Sequence, residues 1–230
     1  EIGMNWILAV FCGMLLGIVV GLIEGVIVAR MHIAPFIVTL ALMTICRGAT
    51  QVLDGGTAIR IPNDSFKALG QSYIGFIPVP VVIMAVMFII AWFILVKTKF
   101  GRHVYAVGGN EQAAQLSGVN VPRIKIAVYA ISGLCCAFSG FITAARLGSA
   151  TPTAGAGAEM DAIAAVVLGG VSMDGGKGSV IGVFIGALII GVLNNAFNLL
   201  SVSAYWQEIA KGLVILAAVV IDRLLSKESA

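Results

Sequence analysis

Between Gly169 and Val180 the chain reads GGVSMDGGKGSV, a run of glycines with a lysine and serines. These are residue types that wrap a phosphate: glycine backbone N–H groups turn inward, while a lysine and a hydroxyl meet the charge and its metal. The spacing argues against that chemistry. A phosphate loop of the form G-x-x-x-x-G-K-[S/T] follows a strand and opens a helix. Counted back from Gly176 and Lys177, its first glycine falls on Val171, and its serine or threonine falls on Gly178. No strand precedes the segment. It is expected instead to be a tight glycine turn near a membrane face, with Lys177 extending its apolar stem toward water.

Other residues capable of chemistry lie in or beside apolar segments: Glu24, Glu159, Asp161, Asn194, Asn195, Asn198, Gln207, Glu208 and Lys211. Ionisable groups in such places are costly, and each is a functional hypothesis by default. Glu208 and Lys211 are spaced i, i+3 and are expected to neutralise each other on one helix face. Asp161 opens a short apolar segment, where a carboxylate suits a helix N-terminus; capping is its first expected role and lining a path its second. Asn194, Asn195 and Asn198 have the chemistry either to hydrogen-bond a polar solute or to tie helices together. The four cysteines (Cys12, Cys46, Cys135, Cys136) lack metal-ligand spacing and read as small apolar fillers. The two histidines, His32 and His103, fall at loop edges. With no His/carboxylate cluster and no Ser/Lys dyad, a membrane-embedded enzyme is disfavoured. Glu24 is the lone acid deep enough to serve an ion-coupled carrier.

The elements that must hold these residues are membrane helices. Of 230 residues 60% are hydrophobic and 11% charged, with a mean hydropathy of +1.05, whereas a soluble domain carries about a quarter charged residues. Ala68 to Val96, Ile126 to Ala145 and Gly178 to Gln207 contain no Asp, Glu, Lys or Arg, and about 20 apolar residues as helix cross a bilayer core. The pattern predicts segments at Asn5 to Val28, Ala34 to Val52, Ile77 to Val96, Ile124 to Leu147, Glu159 to Leu168, Val180 to Leu200 and Tyr205 to Leu225. The first is too long, and lacks the basic start, for a cleavable signal. The net charge of +3 says little about partners by itself, and no nucleic-acid partner is expected; the placement of the charges is more telling.

Lys97, Lys99, Arg102, Arg123 and Lys125 face a single acid, Glu111, between Lys97 and Lys125, whereas Arg60 and Lys67 are balanced by Asp54 and Asp64 between Leu53 and Gly75. Positive-inside bias puts the first loop in the cytoplasm and the second outside, and Arg30, Arg223 and Lys227 put the first turn and the C-terminus inside. Three full spans between Lys125 and Arg223 would leave the C-terminus on the wrong side. The short fifth segment, entered through GSATPTAGAGAEMD, must therefore complete a crossing as a half-helix with irregular backbone, which is tolerated only where protein or a watery cavity covers it. Gly13, Gly17, Gly21 and Gly25, and again Gly178, Gly182 and Gly186, recur every four residues. Each set lines one helix face and lets another backbone approach, within the chain or at a subunit seam.

The basic loop reads KTKFGRHVYAVGGNEQAAQLSGVNVPRIKI. Asn110 is a good N-cap, Glu111 suits the helix dipole and Gly118 is a natural stop, so Glu111 to Ser117 is expected to be a two-turn helix outside the bilayer, with Ala113 and Ala114 on its exposed face. A helix this short needs its own protein, and a partner, to hold it. This loop, together with APFIVTLALMTICRGATQVL from Ala34, PTAGAGAEMDAIAAVVLGGVSMDGGKGS from Pro152 and NNAFNLLSVSAYWQEIAKGLVILAAVVIDR from Asn194, resembles the permease subunits of ABC sugar importers of the ribose/galactose/xylose group. The resemblance runs in order over essentially the whole chain. It implies an all-α fold: a polytopic helix bundle with a broken helix, resembling type II ABC importer permeases. Residues 1–230 would form a single permease domain, with the coupling loop at 97–125. Family members run longer at the N-terminus, so helices are expected before Glu1.

The resemblance also implies partners and roles. The chain would sit in the bacterial inner membrane and pair with a second permease copy or a relative. It would receive a monosaccharide from a substrate-binding protein and be driven by a cytoplasmic ABC ATPase, which would bind ATP and magnesium; this chain would hold no cofactor and no metal. Glu111, Ala113, Ala114 and Gly118 would couple to the ATPase, with Arg123 and Lys125 anchoring the loop. Phe36, Thr39, Asp161, Asn194, Asn195 and Asn198 are candidates for the substrate path, and Phe36 and Trp206 have the rings to stack on a sugar. The same machinery for another small solute, such as a nucleoside or a furanone-type signal, remains an alternative, as does an ion-coupled carrier built on Glu24.

Overall fold

The computed structural model describes residues 5–31 and 33–228. In chain order the helices are α1 (Trp6–Met31), α2 (Pro35–Asp54), α3 (Asp64–Gln71), α4 (Val79–Trp92), α5 (Lys99–Gly109), α6 (Glu111–Leu116), α7 (Val121–Leu147), α8 (Ala158–Leu168), α9 (Val180–Leu199) and α10 (Ala204–Glu228). A π-helical turn, Phe93–Lys97, extends α4. Short strands β1 (Ile59–Arg60), β2 (Tyr73–Ile74), β3 (Ile77–Pro78) and β4 (Ser149–Ala150) pair antiparallel as β1–β4 and β2–β3. Among the described residues, five helices are long and apolar enough to cross a membrane: α1, α2, Val79–Lys97, α7 and α9. Their outward faces carry exposed apolar side chains such as Leu16, Ile89, Ile181 and Val192, a surface suited to lipid rather than water.

The fifth apolar segment is α8, 11 residues long, which spans about 16 Å at 1.5 Å per residue, roughly half a bilayer core. It is entered through turns at residues 152–157. The last apolar segment is covered by α10; the side chains of Arg223 and Lys227, and the whole of His32, lie outside the described residues.

Two loops hold more structure than their composition predicts. Between α2 and α4 the chain forms α3, because Asn63 accepts the Phe66 N–H at 3.0 Å and caps it. Between α4 and α6 it forms α5, because the Thr98 hydroxyl accepts the Gly101 N–H at 3.3 Å while donating to the Ile94 carbonyl at 2.6 Å. The π turn widens the end of α4 there. Gly101 then packs on it: a Cβ at that position would stand 2.6 Å from the Leu95 Cα.

The chain divides into two compact units, Glu1–Met87 with Gln115–Gly155, and Phe88–Ala114 with Ala156–Ala230. In the first unit α1 lies along α7. Glycines permit the close approach: a Cβ on Gly17 would stand 2.6 Å from the Ala137 Cβ, and one on Gly25 would stand 2.8 Å from the Ile126 Cα. Gly13 faces the Phe141 ring and Gly21 the backbone of Tyr129 and Ala130. The short helix α3 rests on the end of α7 through Gly70 and through Gln71, whose amide donates to the Arg146 carbonyl at 3.0 Å. In the second unit α8 packs on α9 and α10. Gly182 meets the Gly169 carbonyl and Gly186 the Ala165 carbonyl, whereas Gly178 faces the Val171 side chain in the preceding turn. Ala164, Ala165 and Ile190 form the buried centre of this unit.

Candidate functional site

The second unit gathers polar side chains around the half-helix. Asp161 lies 2.8 Å from the Lys211 ammonium, and its other carboxylate oxygen accepts from the Asn194 amide at 3.0 Å. Three helices thus meet at one carboxylate: α8 supplies Asp161, α9 supplies Asn194 and α10 supplies Lys211. Both charged side chains are mostly buried, Lys211 to 21% and Asp161 to 29% exposure. The Asn194 side-chain oxygen is buried and has no hydrogen-bond partner among the described residues.

This corrects two expectations. Asp161 lies in the first turn of α8, where a carboxylate suits the helix dipole, but it makes no capping hydrogen bond. The N-cap is Gly157, with φ 84° and no side-chain cap, and the carboxylate instead engages Lys211 and Asn194. Lys211 therefore pairs with Asp161, and Glu208, expected to neutralise it, is exposed. The i, i+3 spacing makes a pair geometrically available, but a partly buried carboxylate on a neighbouring helix gains more from the charge than an exposed one does.

The remaining path candidates are placed as follows. Asn198, exposed, accepts from the Gln207 amide at 3.3 Å, and Gln207 also donates to the Val202 carbonyl at 2.9 Å. Asn195 and Trp206 are exposed. Phe36 and Thr39 belong to α2 of the other unit; Phe36 is exposed, and the Thr39 hydroxyl donates to the Phe36 carbonyl at 3.1 Å. Glu24 is half-buried on α1.

The basic loop holds α6, with Asn110 as its cap: the Asn110 side chain accepts the Ala113 N–H at 2.9 Å. The helix ends as its glycine dictates. Gly118 has φ 84° and donates its N–H to the Gln115 carbonyl at 3.0 Å. Glu111, Ala113 and Leu116 are exposed, but Ala114 is 5% exposed and so belongs to the inner face. The reason is periodicity: consecutive residues are turned about 100° apart on a helix, so one of two adjacent alanines faces inward. Asn120 caps α7 by accepting the Arg123 N–H at 3.2 Å, and Arg123 stands exposed at that helix start.

The segment from Gly169 to Ser179 is a glycine turn. Gly170, Gly175 and Gly176 have φ of 74°, 90° and 72°, and the Ser172 N–H donates to the Lys177 carbonyl at 3.0 Å. Sequence reasoning missed its neighbour. The turn rests on Gly108 and Gly109 at the end of α5, and the Tyr105 hydroxyl donates to the Gly178 carbonyl at 3.2 Å. A cavity of about 320 Å³ adjoins the contact, lined among others by Leu95, Val104, Lys177 and Val183. The two Gly-Gly doublets, 108–109 and 175–176, were the available signal; their pairing was not.

Helices long and apolar enough to cross a membrane, with a half-length helix and a capped short helix on a basic loop, define a multi-span membrane protein. The family described as the branched-chain amino acid transport system / permease component matches residues 1–219, and the chain belongs to it. The chain is similar to the ribose import permease protein of Haemophilus influenzae, with 53% identity over 92% of this chain and 67% of that protein. It is also similar to the ribose import permease protein of Bacillus subtilis, with 49% identity over 96% and 69%. The D-allose transport system permease protein of Escherichia coli is 42% identical over 95% and 67%. No solved structure matches the chain at a significant level. This is therefore a permease component of an ABC importer, not itself an enzyme, and it lies in a membrane as a multi-pass protein.

Proposed function

We propose that the chain carries a pentose of the ribose type across the bacterial inner membrane, as one of two permease subunits driven by a cytoplasmic ATPase and supplied by a substrate-binding protein. The observation that supports this most is the similarity, at 53% and 49% identity along nearly the whole chain, to two proteins named ribose import permeases. The capped, exposed helix α6 supports the ATPase contact: Glu111, Ala113 and Gly118 offer a small docking face, Ala114 seats the helix from its inner side, and Arg123 anchors the loop. In this reading residues 1–230 act as one permease domain, residues 97–125 form the coupling loop, and the C-terminus is cytoplasmic. Asp161 and Asn194, with Asn195 and Asn198 further along α9, are the substrate-path candidates of the second unit, and Phe36 and Thr39 on α2 are those of the first. The D-allose relative favours a second reading, a hexose on the same machinery.

ATP-driven uptake in liposomes tests both readings. The permease is reconstituted with the ATPase and binding protein encoded beside it, and ribose and allose are offered with and without a proton uncoupler. Ribose uptake that needs both partners and ATP and ignores the uncoupler is the expected result. Uptake of allose alone would select the second reading. Uptake that needs no ATPase and collapses with the uncoupler would overturn both and turn attention to Glu24.

A further inference from the structure

The glycine turn has no part in nucleotide binding, yet its fit to α5 is closer than side-chain packing permits. A Cβ on Gly108 would stand 2.6 Å from the Gly176 nitrogen, and one on Gly175 would stand 2.7 Å from the Gly108 oxygen. A Cβ on Gly176 would run into Gly109. Backbone lies directly on backbone, and Tyr105 closes the edge through its hydrogen bond to the Gly178 carbonyl.

Both sides of this contact are short in sequence. On one side Gly109 is followed at once by Asn110, the cap of α6. On the other, the turn joins Gly169, at the end of α8, to Ser179, whose hydroxyl accepts the Gly182 N–H at 3.5 Å and caps α9. The turn is also pinned to the helices it joins, because Gly182 and Gly186 seat on Gly169 and Ala165. Side chains yield to a push by changing rotamer; apposed backbones do not, and close-packed interiors transmit displacement with little compression.

We propose that the seat of Gly175–Gly176 on Gly108–Gly109 is the contact through which displacement of the coupling helix α6 reaches the half-helix α8, with Tyr105, Gly108 and Gly176 as positioning residues for transport. The inference rests on the reading of α6 as the ATPase-docking element. It gives the stroke a route to Asp161 that runs through α5 and the turn rather than along the covalent continuation into α7.

The test measures sugar transported per ATP hydrolysed in the complete transporter in liposomes, together with retention of the ATPase subunit on purification. Gly176→Ala introduces a methyl into the seat. Gly170→Ala is its control, because Gly170 has nearly the same φ but nothing within 4 Å of its Cβ position. With the ATPase retained, Gly176→Ala is expected to lower the transport-to-hydrolysis ratio about tenfold. Gly170→Ala should stay within about twofold of wild type, as a variant that strains the turn but leaves the seat intact. Equal effects of the two, or no effect of Gly176→Ala, would overturn the proposal. Should Gly176→Ala fail to assemble, Tyr105→Phe decides: it keeps the ring and removes one hydrogen bond, so a fall of about two- to fivefold supports the seat and a wild-type ratio overturns it. Gly118→Asp separates the proposal from the reading beneath it. Normal transport in that variant would remove α6 as the docking element, whatever Gly176→Ala does.

Discussion

At the scale of single residues, the Asp161–Lys211–Asn194 cluster is the most consequential local arrangement. Its charges are largely withdrawn from solvent and compensate each other across helices. Removing one partner leaves the other charge partly buried and unpaired, and removing both does not. The double variant Asp161→Asn/Lys211→Met is therefore expected to lose less stability than the sum of the losses in Asp161→Asn and Lys211→Met. The coupling energy should be about 0.5–3 kcal/mol, read from a double-mutant cycle of unfolding in detergent. Additive losses would show that the pair contributes nothing beyond its separate members. Asn110 tests a second local rule. Its side chain holds the first turn of a helix too short to stand alone, so Asn110→Ala is expected to cost about 1 kcal/mol of helix stability. Insertion should be normal and ATP-driven uptake several-fold lower; unchanged uptake would mean that α6 is held in place by other contacts.

At the scale of elements, glycine decides which helices lie close. Along α1 the glycines spaced by four meet α7, and a larger residue has no room: at Gly17 a Cβ already crowds Ala137 and the Gly133 backbone. Gly17→Val is expected to destabilise by about 1–3 kcal/mol through overpacking. Gly140, on α7 itself, has nothing within 4 Å, so Gly140→Ala should be neutral or stabilising by up to about 1 kcal/mol. Thermal unfolding of the two variants side by side checks the contrast, and similar losses at both positions would show that helix propensity rather than the seam governs them. The half-helix α8 follows the same logic. Its length makes it a partial crossing, and its seat on Gly182 and Gly186 keeps it against α9.

At the scale of the whole molecule, the proposed drive is ATP hydrolysed by a partner subunit, and its effect on this chain has to be explained. The expected answer is mechanical, through a partner's push on α6. Gly118 ends that helix at φ 84° with open space around it. Gly118→Asp is therefore accommodated sterically, at a cost of about 1 kcal/mol for the left-handed conformation, while adding a charge at the docking face. The variant is expected to insert and to lose ATP-driven uptake almost entirely. Normal uptake would refute the coupling role of the loop.

Much of this protein was legible in the sequence because the bilayer imposes few solutions. Apolar runs of span length must be helices, and the run from Glu159 to Leu168 was too short to be a full one, as α8 is. Asn110, Glu111 and Gly118 marked α6 because capping depends on neighbours a few residues away. The helices α3 and α5 were missed although their caps, Asn63 and Thr98, were in view; polar composition masked them. What only the tertiary structure decided is which distant groups meet. Lys211 had two carboxylates in reach of its long side chain, one three residues away in sequence and one on another helix, and the fold brought it to Asp161. Ala113 and Ala114 are alike in type and adjacent, and packing alone buried the second. The doublets Gly108–Gly109 and Gly175–Gly176 carry no side chain to announce a partner, so their contact exists only once the chain has folded. Local rules act through bonds and helical periodicity and can be read in one dimension; pairing across the fold depends on where whole helices are placed, which no short stretch encodes.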